Sequence, residues 1–460
     1  MNLNDILAEP GKHNLIAATL GEAKLDSPVK GQSFVDTSSR ISLASEFSQI
    51  ESLKQRNENI PYLEIAGPRK KIFHDPAQAR VAIITCGGLC PGLNNVIKGL
   101  VEVLTYDYGV RVIFGIKYGY RGLDPRFGLT ATRLTLDKVD NIHESGGTIL
   151  GSSRGNQDPK IMVDTLLMQL NVNILFCIGG DGTLRGGRDI VDEVNRRKAP
   201  MSVICIPKTI DNDLNLIDRT FGFETCVQSA AEAIKGAHVE ANGAPNGLGL
   251  VKVMGRDSGF IAAHASLASS VTNFCLIPEV PLRLEGPNGL FTALERRYFK
   301  HRKDHAVIVV AEGAGQDLFE KEASKDASGN VMKHDIGQFL ANRISEHFKY
   351  SGNEISIKYI DPSYIIRSIP ANSSDAIYCF QLAENAVHAA MEGKTNAVVG
   401  SFRGTFVLVP VGYVISERKK IDPEGALWHA VIGSTRQNDY FYDSSFETEL
   451  PNRFASEDWR

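Results

Sequence analysis

Two short stretches combine glycine, acidic and hydroxyl residues in a spacing suited to phosphate chemistry. Residues 178–183 read IGGDGT, and residues 207–213 read PKTIDND. Glycines such as Gly180 and Gly182 would let the backbone approach an anion, and a following helix would direct free N–H groups towards it. Asp181 would repel a bare phosphate, so it predicts an intervening Mg²⁺, a hard cation that prefers oxygen ligands. These residue types therefore predict the binding of a metal-associated phosphate.

Asp211 and Asp213 are the candidates for acid–base chemistry. Two residues apart on an extended segment, their side chains would share a face. One could then act as a general base while the other holds a metal or orients its neighbour. Each stretch alone could equally be a glycine-rich turn or a solvated acidic loop, but the two in this order favour a functional site.

The elements that position these residues are two predicted strands. Short apolar runs at residues 173–178 and 202–206, bounded by turn residues, predict buried parallel strands. Both motifs would then lie at the carboxyl ends of neighbouring strands, where open α/β sheets bind ligands. Residues 79–94 show the same order of strand, glycine-rich turn and helix, as do residues 249–269 further along the chain.

Length and charge limit the kinds of partner. The chain has 460 residues, a formal net charge of −4 and 43% hydrophobic residues, which allows two or three domains with a substantial core. It lacks the basic field that binds nucleic acid or an anionic membrane, so we expect neither partner. No apolar run reaches about 18 residues, and the N-terminus is typical of neither a signal nor a transit peptide.

Seven cysteines are scattered through predicted strands and helices, which favours reduced thiols and a cytoplasmic location. Cys86 and Cys90 have suggestive spacing, but no second Cys/His pair stands near them to complete a zinc site, so we predict buried thiols. The basic run at residues 69–71 is expected to be solvated, and the polar residues 321–333 to be a surface excursion.

We predict an α/β chain with two Rossmann-like three-layer domains, an active-site cleft between them and an N-terminal extension. The expected limits are 1–75 for the extension, with one helix around residues 43–55, 76–222 for the first domain, 223–365 for the second and 416–460 for a C-terminal segment, the chain returning to the first domain at 366–415. The cations Arg256, Lys358 and Arg367 each lie near the end of a predicted strand. With Glu312 alongside, they predict a second anion pocket facing the first.

Five motifs in order resemble those of the 6-phosphofructokinases. They are GGLCPGLN at residues 87–94, GGDGT at 179–183, PKTIDND at 207–213, MGR at 254–256 and YIIR at 364–367. The resemblance covers residues 81–401. The extension and the form of the later motifs are similar to the longer subgroup found in plants, trypanosomes and some bacteria.

The resemblance implies an allosteric, homo-oligomeric enzyme of glycolysis, a dimer or tetramer. It would transfer the γ-phosphoryl group of Mg-ATP to the 1-hydroxyl of fructose 6-phosphate, giving fructose 1,6-bisphosphate and ADP. Phosphoryl transfer needs mostly in-line positioning and charge neutralisation, which fits cations supplied by both domains. The first domain would bind the phosphoryl donor, and the second the sugar phosphate.

The resemblance also implies roles for individual residues. The donor site would comprise Gly88, Arg154, Gly155, Gly180, Asp181, Gly182 and Thr183, with Asp181 as the magnesium ligand. The catalytic residues would be Asp211, which accepts the proton of the hydroxyl, with Lys208, Thr209 and Asp213. The sugar phosphate would be bound by Thr209, Asp211, Met254, Gly255, Arg256, Glu312, Lys358, Tyr364 and Arg367.

Donor choice depends on Gly182 and Lys208. Family members that use pyrophosphate usually place Asp at the first position and Lys at the second, so this chain has a mixed pair. An Asp side chain at position 182 would occupy the space of the α-phosphate and repel it, whereas Gly leaves room for a nucleotide. We therefore predict ATP, while Lys208 could neutralise a phosphoryl group from either donor.

The alternatives are a pyrophosphate-dependent fructose-6-phosphate 1-phosphotransferase and a non-catalytic sugar-phosphate-sensing subunit. The presence of Asp181, Asp211 and Arg256 together argues against the second. A further alternative, a lipid or NAD kinase, would account for the motif at residues 179–183 but for none of the later motifs. The arginine that short bacterial members place before the MGR motif is missing here, and Lys252 or Lys235 would have to replace it.

Overall fold

The chain folds into two compact α/β units. The computed structural model describes residues 3–31, 33–319 and 333–441. The first unit contains the described residues of Met1–Ser229 and Ser363–Lys420. The second contains those of Ala230–Glu320, Lys333–Pro362 and Ile421–Arg460.

Helices and strands alternate through most of the described residues. The α-helices are α1 (Leu3–Ala8), α2 (Phe47–Gln55), α3 (Leu93–Tyr106), α4 (Leu136–Val139), α5 (Pro159–Asp164), α6 (Asp181–Arg196), α7 (Phe223–Asn242), α8 (Phe260–Ser269), α9 (Leu290–Glu295), α10 (Ile336–Tyr350), α11 (Ser373–Met391), α12 (Val411–Val414), α13 (Ala426–Thr435) and α14 (Asn438–Phe441). The strands are β1 (Ala18–Thr19), β2 (Leu25–Asp26), β3 (Arg40–Ser42), β4 (Tyr62–Ile65), β5 (Lys71–Ile72), β6 (Arg80–Thr85), β7 (Val112–Ile116), β8 (Thr132–Arg133), β9 (Ile174–Gly179), β10 (Ser202–Pro207), β11 (Gly247–Val253), β12 (Phe274–Leu276), β13 (His305–Ala311), β14 (Ser356–Ile360), β15 (Lys394–Thr395), β16 (Ala397–Phe402) and β17 (Thr405–Pro410).

The first unit is built on a nine-stranded sheet of order β3-β4-β17-β16-β10-β9-β6-β7-β8. The five central strands, β16 to β7, run parallel, and the strands outside them pair antiparallel. Every residue of β9 and β10 is buried. A parallel strand covered on both faces needs apolar residues throughout, which is why these strands were visible as continuous apolar runs.

Helices cover both faces of this sheet. On one face, Ala82 and Leu175 share a core with side chains of α5 and α6. The alternate residues Ile83 and Phe176 are fully buried on the other face, where α11 contacts β10 and α3. This confirms a three-layer, Rossmann-like arrangement for the first unit.

The N-terminal residues extend the same sheet. β3 and β4 add two antiparallel strands to its edge, with Ile65 opposite Val407. α2 lies within the helix predicted for residues 43–55, but no strand was predicted here. Strands of three or four residues carry too little alternation to be distinguished from a loop.

The expectation of a solvated basic run at residues 69–71 is wrong for Arg69. Its side chain is 2% exposed and pairs with Glu64 at 3.5 Å and Glu392 at 3.2 Å. Lys394 lies 2.7 Å from Glu64 and completes a buried network of four charges. Burial is tolerated because each charge has an opposite neighbour, and the network joins the N-terminal part to the end of α11.

The second unit is built on a parallel four-stranded sheet of order β12-β13-β11-β14. On one face, Leu248, Leu250 and Ile308 share a core with side chains of α9 and α10. The other face is contacted by α8, which lies against β12 and β13. The prediction of a second Rossmann-like α/β domain is thus confirmed.

Some predictions fall partly or wholly outside the described residues. The polar stretch 321–333 lies outside them except for Lys333, and so does the part of the C-terminal segment after residue 441. The described helices α13 and α14 of that segment belong to the second unit. The predicted limits 1–75, 76–222, 223–365 and 416–460 stay a prediction.

Among the helices of the described ranges, none combines the length and apolar character that crossing a bilayer requires.

Candidate active site

The GGDGT and PKTIDND motifs lie side by side at the carboxyl ends of β9 and β10. These parallel strands pair from Ser202 opposite Ile174 to Pro207 opposite Gly179. Beyond the last pair, the N–H of Lys208 donates to the carbonyl of Gly179 at 3.0 Å. The prediction that neighbouring strands bring the two motifs to one sheet edge is confirmed.

The GGDGT motif forms the start of α6. Gly180 precedes the helix and Asp181 is its first residue, so the free N–H groups of the first turn lie at this end. A side chain on Gly179 would come within 2.0 Å of Thr183 Oγ1, so the strand must end on a glycine. Gly182 is different, because no atom lies within 4 Å of a Cβ placed there.

Three cations converge on the Gly87–Gly88 turn that follows β6. Lys208 Nζ donates to the carbonyl of Gly88 at 2.8 Å. A Cβ on Gly88 would lie 3.5 Å from Arg367 Nη1 and 3.9 Å from Arg154 Nη2. Burial lowers the pKa of Lys208, and the charge of Arg154 lowers it further. Cations gathered on a glycine turn are suited to neutralise a phosphate.

The loop carrying Arg154 and Gly155 is bound to this turn. The N–H of Gly87 donates to the carbonyl of Ser153 at 3.0 Å, and Ser152 Oγ donates to the carbonyl of Gly87 at 2.7 Å. Gly155 has a φ of +92°, a conformation open to glycine. The structure therefore brings together two glycine-rich loops whose bonded residues Ser152 and Gly87 are 65 positions apart in the sequence.

Tyr364 and Arg367 both belong to the first unit. The Arg367 guanidinium lies over the Tyr364 ring, 4.6 Å from its centroid, and the ring is otherwise largely exposed. Of the residues predicted to bind the sugar phosphate, this pair therefore lies beside Gly88 of the donor loop.

Asp211 lies in a loop whose shape is fixed by its neighbours. Its N–H donates to Thr209 Oγ1 at 3.1 Å. Thr220 Oγ1 donates to the carbonyl of Thr209 at 2.6 Å, and the Thr220 N–H to Asn212 Oδ1 at 3.0 Å. The charge of Asp211 also opposes the lowering of the Lys208 pKa. The predicted base and the predicted cation thus share one site.

Asp213 lies beside an arginine that sequence reasoning missed. Asp213 is 1% exposed and accepts a hydrogen bond from Arg418 Nη1. Arg418 Nη2 is also 4.0 Å from Asp181, which Arg185 contacts at 3.2 Å. Arg418 is 205 positions from Asp213 in the sequence, and no local motif marks it.

In the second unit, residues 254–256 follow β11 and Glu312 follows β13. These strands pair to their last residues, and the Glu312 N–H donates to the carbonyl of Val253 at 2.9 Å. Burial raises the pKa of Glu312, while the nearby charge of Arg256 opposes this. Gly255 has a φ of +131°, so a glycine is needed between Met254 and Arg256. The structure brings these predicted residues to one sheet edge.

Lys358 lies away from this edge. It is exposed and is the third residue of β14, opposite Gly249, whereas β11 continues for four more residues, or about 13 Å. Lys252 of β11 contacts Asp361 at 2.8 Å and Asp335 at 3.2 Å. Burial would lower the pKa of Lys252, but these carboxylates outweigh it and raise the pKa. The cation held near the end of β11 is therefore Lys252.

Asp181 suits a magnesium ion that is bound together with phosphate. Its side chain is 25% exposed at the start of a helix. Within residues 3–31, 33–319 and 333–441, no group of three or more His, Cys, Asp or Glu could hold a metal ion. Mg²⁺ commonly uses only one or two carboxylates plus substrate phosphates, so a single carboxylate fits it. The seven cysteines are free and buried, as predicted.

The Phosphofructokinase family model matches residues 80–390. The chain belongs to the phosphofructokinase family. An ATP-dependent 6-phosphofructokinase from Borreliella burgdorferi is 48% identical over 431 residues, covering 91% of this chain and 96% of the relative. One from Trypanosoma brucei brucei is 46% identical, covering 80% and 75%, and a chloroplastic one from Arabidopsis thaliana is 46% identical, covering 82% and 70%. The resemblance drawn from five motifs, including that to the longer subgroup, is confirmed.

Solved structures of family members share the fold. A pyrophosphate-dependent phosphofructokinase from Marinobacter aquaeolei superposes with a TM-score of 0.62 at 16% identity, over 78% of this chain and 91% of that one. A Pichia pastoris phosphofructokinase in the T-state gives a TM-score of 0.60 at 18% identity, over 88% and 40%. At such identities the likeness concerns the fold alone.

Proposed function

We propose that this family member is an ATP-dependent 6-phosphofructokinase. It transfers the γ-phosphoryl group of ATP to the 1-hydroxyl of fructose 6-phosphate, giving fructose 1,6-bisphosphate and ADP in glycolysis. The proposal is carried by the gathering of Lys208, Arg154 and Arg367 at the Gly88 turn, with the Asp211 loop on the adjacent strand end.

On the donor side, the residues neutralise charge and leave space. Gly88, Gly155 and Gly180 keep side chains away from the phosphates, and the first turn of α6, which begins with Asp181 and Gly182, offers N–H groups to them. Thr183 closes this turn by donating its N–H to the carbonyl of Gly180 at 2.9 Å. Lys208 and Arg154 stabilise the charge on the transferring group, which in a loose phosphoryl-transfer transition state is spread over its oxygens. Charged groups fixed in place before reaction are usually the largest single contribution to such catalysis.

On the acceptor side, Asp211 takes the proton from the 1-hydroxyl. Thr209 holds the backbone at Asp211, and Asp213 fixes the far end of the loop through its partly buried bond to Arg418. A carboxylate held within hydrogen-bond reach of the reacting hydroxyl can accept its proton, because the hydroxyl becomes acidic as the phosphoryl group arrives.

Asp181 is the residue that would hold Mg²⁺, together with oxygens of the nucleotide. The ion, when bound, would offset the charge of the β- and γ-phosphates. The contacts of Asp181 with Arg185 and Arg418 already keep its oxygens at the start of α6.

Sugar-phosphate binding rests on cations and one carboxylate. The residues proposed for it are Thr209, Asp211, Met254, Gly255, Arg256, Glu312, Tyr364 and Arg367. Lys358 is not retained, because it pairs with Gly249 and lies before the sheet edge. Arg256 and Arg367 can form paired hydrogen bonds with a phosphate, and Glu312 can accept from a sugar hydroxyl. We favour Lys252 over the exposed Lys235 as substitute for the missing arginine, because Lys252 and Arg256 both act on Glu312.

ATP is favoured over pyrophosphate by the ATP-dependent relatives and by Gly182. An assay of purified protein with fructose 6-phosphate and Mg²⁺ should show turnover with ATP and none above background with pyrophosphate. The reverse preference would refute the donor assignment. Binding of fructose 6-phosphate without turnover of either donor would favour a sensing subunit.

The steric account of Gly182 has its own test. Gly182→Asp should fold normally, because a side chain there meets no protein atom and an acidic group suits the start of a helix. It should raise the KM for ATP, because the carboxylate faces the α-phosphate. Gly236→Asp, at another helix position with no atom within 4 Å, is the matched control. An unchanged KM for ATP in Gly182→Asp would remove the steric argument.

Two broader properties complete the proposal. We place the enzyme in the cytoplasm, where seven buried free thiols remain reduced. We also propose a homo-oligomer, a dimer or tetramer, with allosteric control. Light scattering of the purified protein, with and without fructose 6-phosphate, would measure the oligomeric state.

A further inference from the structure

One guanidinium group lies between the two acidic motifs of the first unit. Arg418 Nη1 donates to Asp213 Oδ2, and Arg418 Nη2 lies 4.0 Å from Asp181 Oδ2. Asp213 belongs to the loop of the proposed base, and Asp181 is the proposed magnesium ligand. A single cation from a distant segment is therefore shared by the acceptor and donor sides of the site.

The backbone fixes Arg418 in this place. Arg418 and Leu214 form an isolated antiparallel bridge, and the N–H of Lys419 donates to the carbonyl of Asp213 at 2.8 Å. Lys419 Nζ donates to the carbonyls of Ile217 and Asp218 at 2.9 and 3.0 Å. The segment after α12 is thus hydrogen-bonded along the acidic loop, and the position of Arg418 follows from backbone pairing.

The two carboxylates differ in how much they depend on Arg418. Asp213 is buried, and a buried carboxylate needs an opposite charge and hydrogen bonds. Asp181 is partly exposed and has a second cation, since Arg185 contacts it at 3.2 Å and is anchored by donating to the carbonyl of Ile415 at 3.0 Å. Arg418 is therefore hydrogen-bonded to Asp213 and makes only a longer, weaker ion pair with Asp181.

We propose that Arg418 is a positioning residue for phosphoryl transfer. It fixes the Asp211–Asp213 loop through Asp213, and its guanidinium neutralises Asp181 when no divalent cation is bound there. A divalent ion at Asp181 would compete with the guanidinium for the carboxylate. Free metal would therefore bind weakly, whereas metal bound to the negative phosphates of a nucleotide would bind more tightly. The inference rests on the proposed function for the roles of Asp181 and Asp211.

Loss of the Arg418 charge should change two measurable quantities, the affinity of Asp181 for a free divalent cation and kcat. Without the Arg418 charge, Asp181 should bind a free divalent cation more tightly, by roughly five- to tenfold for a partly exposed pair. The loop of Asp211 should at the same time lose its fixed geometry, and kcat should fall by about 10²-fold, as for a misplaced general base. A merely structural arginine would change stability and leave metal affinity unchanged.

The test uses Arg418→Gln, Arg418→Lys and, as a control for net charge, Lys420→Ala, which removes an exposed cation two positions away. Mn²⁺ alone is titrated into each full-length protein by calorimetry, and kcat and KM are measured with Mg-ATP and fructose 6-phosphate. Thermal unfolding reports folding. We expect Arg418→Gln to bind Mn²⁺ more tightly and to lose kcat, Arg418→Lys to behave close to the parent in Mn²⁺ binding, and Lys420→Ala to match the parent in both.

Several results would overturn the proposed role of Arg418. Unchanged Mn²⁺ affinity in folded Arg418→Gln overturns the proposal, as does a loss confined to the KM for fructose 6-phosphate. If Arg418→Gln does not fold, Arg418→Lys is used instead. Lysine is shorter and donates from a single nitrogen, so a kcat like that of the parent would overturn the positioning role. Failure of the parent protein to phosphorylate fructose 6-phosphate would refute the proposed function, while the Mn²⁺ comparison would still test the competition at Asp181.

Discussion

Replacing Lys208 with Met tests whether the ammonium group at the Gly88 turn serves phosphoryl transfer. The side chain is 6% exposed, and its Nζ donates to the Gly88 carbonyl at 2.8 Å. Arg154 and Arg367 also approach Gly88, so the substitution removes one of three cations and leaves the other two. Removing one donor aimed at developing charge typically costs about 10²- to 10³-fold in kcat, and we expect a loss in this range.

The stability of Lys208→Met should change little. The Gly88 carbonyl loses its donor, which costs about 1–3 kcal/mol for a buried group. Met also avoids the cost of burying an ammonium, the same cost that lowers the Lys208 pKa. These effects oppose each other, so unfolding in denaturant should show a change of no more than about 2 kcal/mol.

The pH dependence of kcat/KM provides a second, independent test of the role of Lys208. Because burial lowers the pKa of Lys208 from 10.5, the charged form is lost at a lower pH than for a free lysine. The alkaline decline of kcat/KM should therefore begin below pH 10.5 and move to higher pH in Lys208→Arg, because arginine stays protonated. Arg should restore kcat only in part, because Nζ already lies 3.2 Å from the Cβ position of Gly87.

The assay follows fructose 1,6-bisphosphate formation at saturating Mg-ATP from pH 6 to pH 10. Lys98→Met is the matched control, since that lysine also donates to a backbone carbonyl, of Asp140, on the surface of α3. A Lys208→Met variant that is folded and retains kcat within a few-fold of the parent would refute the reasoning, as would an alkaline limb unmoved in Lys208→Arg.

Three further predictions concern catalysis and folding. Asp211→Asn should keep substrate KM values near those of the parent and lower kcat by at least about 10²-fold, and near-normal turnover would remove Asp211 as the base. Arg69→Met should destabilise the protein by roughly 3–5 kcal/mol in denaturant unfolding, because two buried glutamates are left with one cation, Lys394, and a cost below 1 kcal/mol would contradict this. Burial lowers the pKa of His74 and His388 to about 4, so their full contribution is present above pH 6.5 and is lost as the pH falls from 6.5 towards 4, by up to about 3 kcal/mol each. His388→Gln should reduce this acid sensitivity, and an unchanged slope of stability against pH would count against it.

The sequence predicted those features whose cause is local. β9 and β10 were found because a strand covered on both faces must be apolar throughout, and their ends were marked by glycine and acidic residues. The pairing of these strands then followed from the ordinary neighbourhood of successive strands in an α/β sheet. That is why the two motifs at one sheet edge could be predicted without coordinates.

The features that were missed depend on contacts between distant parts of the chain. Arg418 lies 205 positions from the carboxylate that it contacts, and its segment contains basic residues that resemble any solvated turn. Arg69 was expected at the surface, because a run of three charges is usually solvated; its burial depends on Glu392, 323 positions away. Lys358 was grouped with Arg256 because both lie in or after strands, whereas only the register of β14 against β11 shows that it lies well before the sheet edge.

The glycines of the site have two distinct causes, and the distinction bears on the donor. Gly87 has a φ of +88°, and a Cβ on Gly179 would come within 2.0 Å of Thr183, so the fold itself requires glycine at these positions. Gly182 is required by neither conformation nor contact, since no atom lies within 4 Å of its Cβ position and its φ is outside the left-handed region. Glycine within a helix costs about 0.5–1 kcal/mol relative to alanine. We propose that Gly182, which weakens α6 and which protein packing does not demand, leaves room for a nucleotide phosphate that pyrophosphate alone would not need.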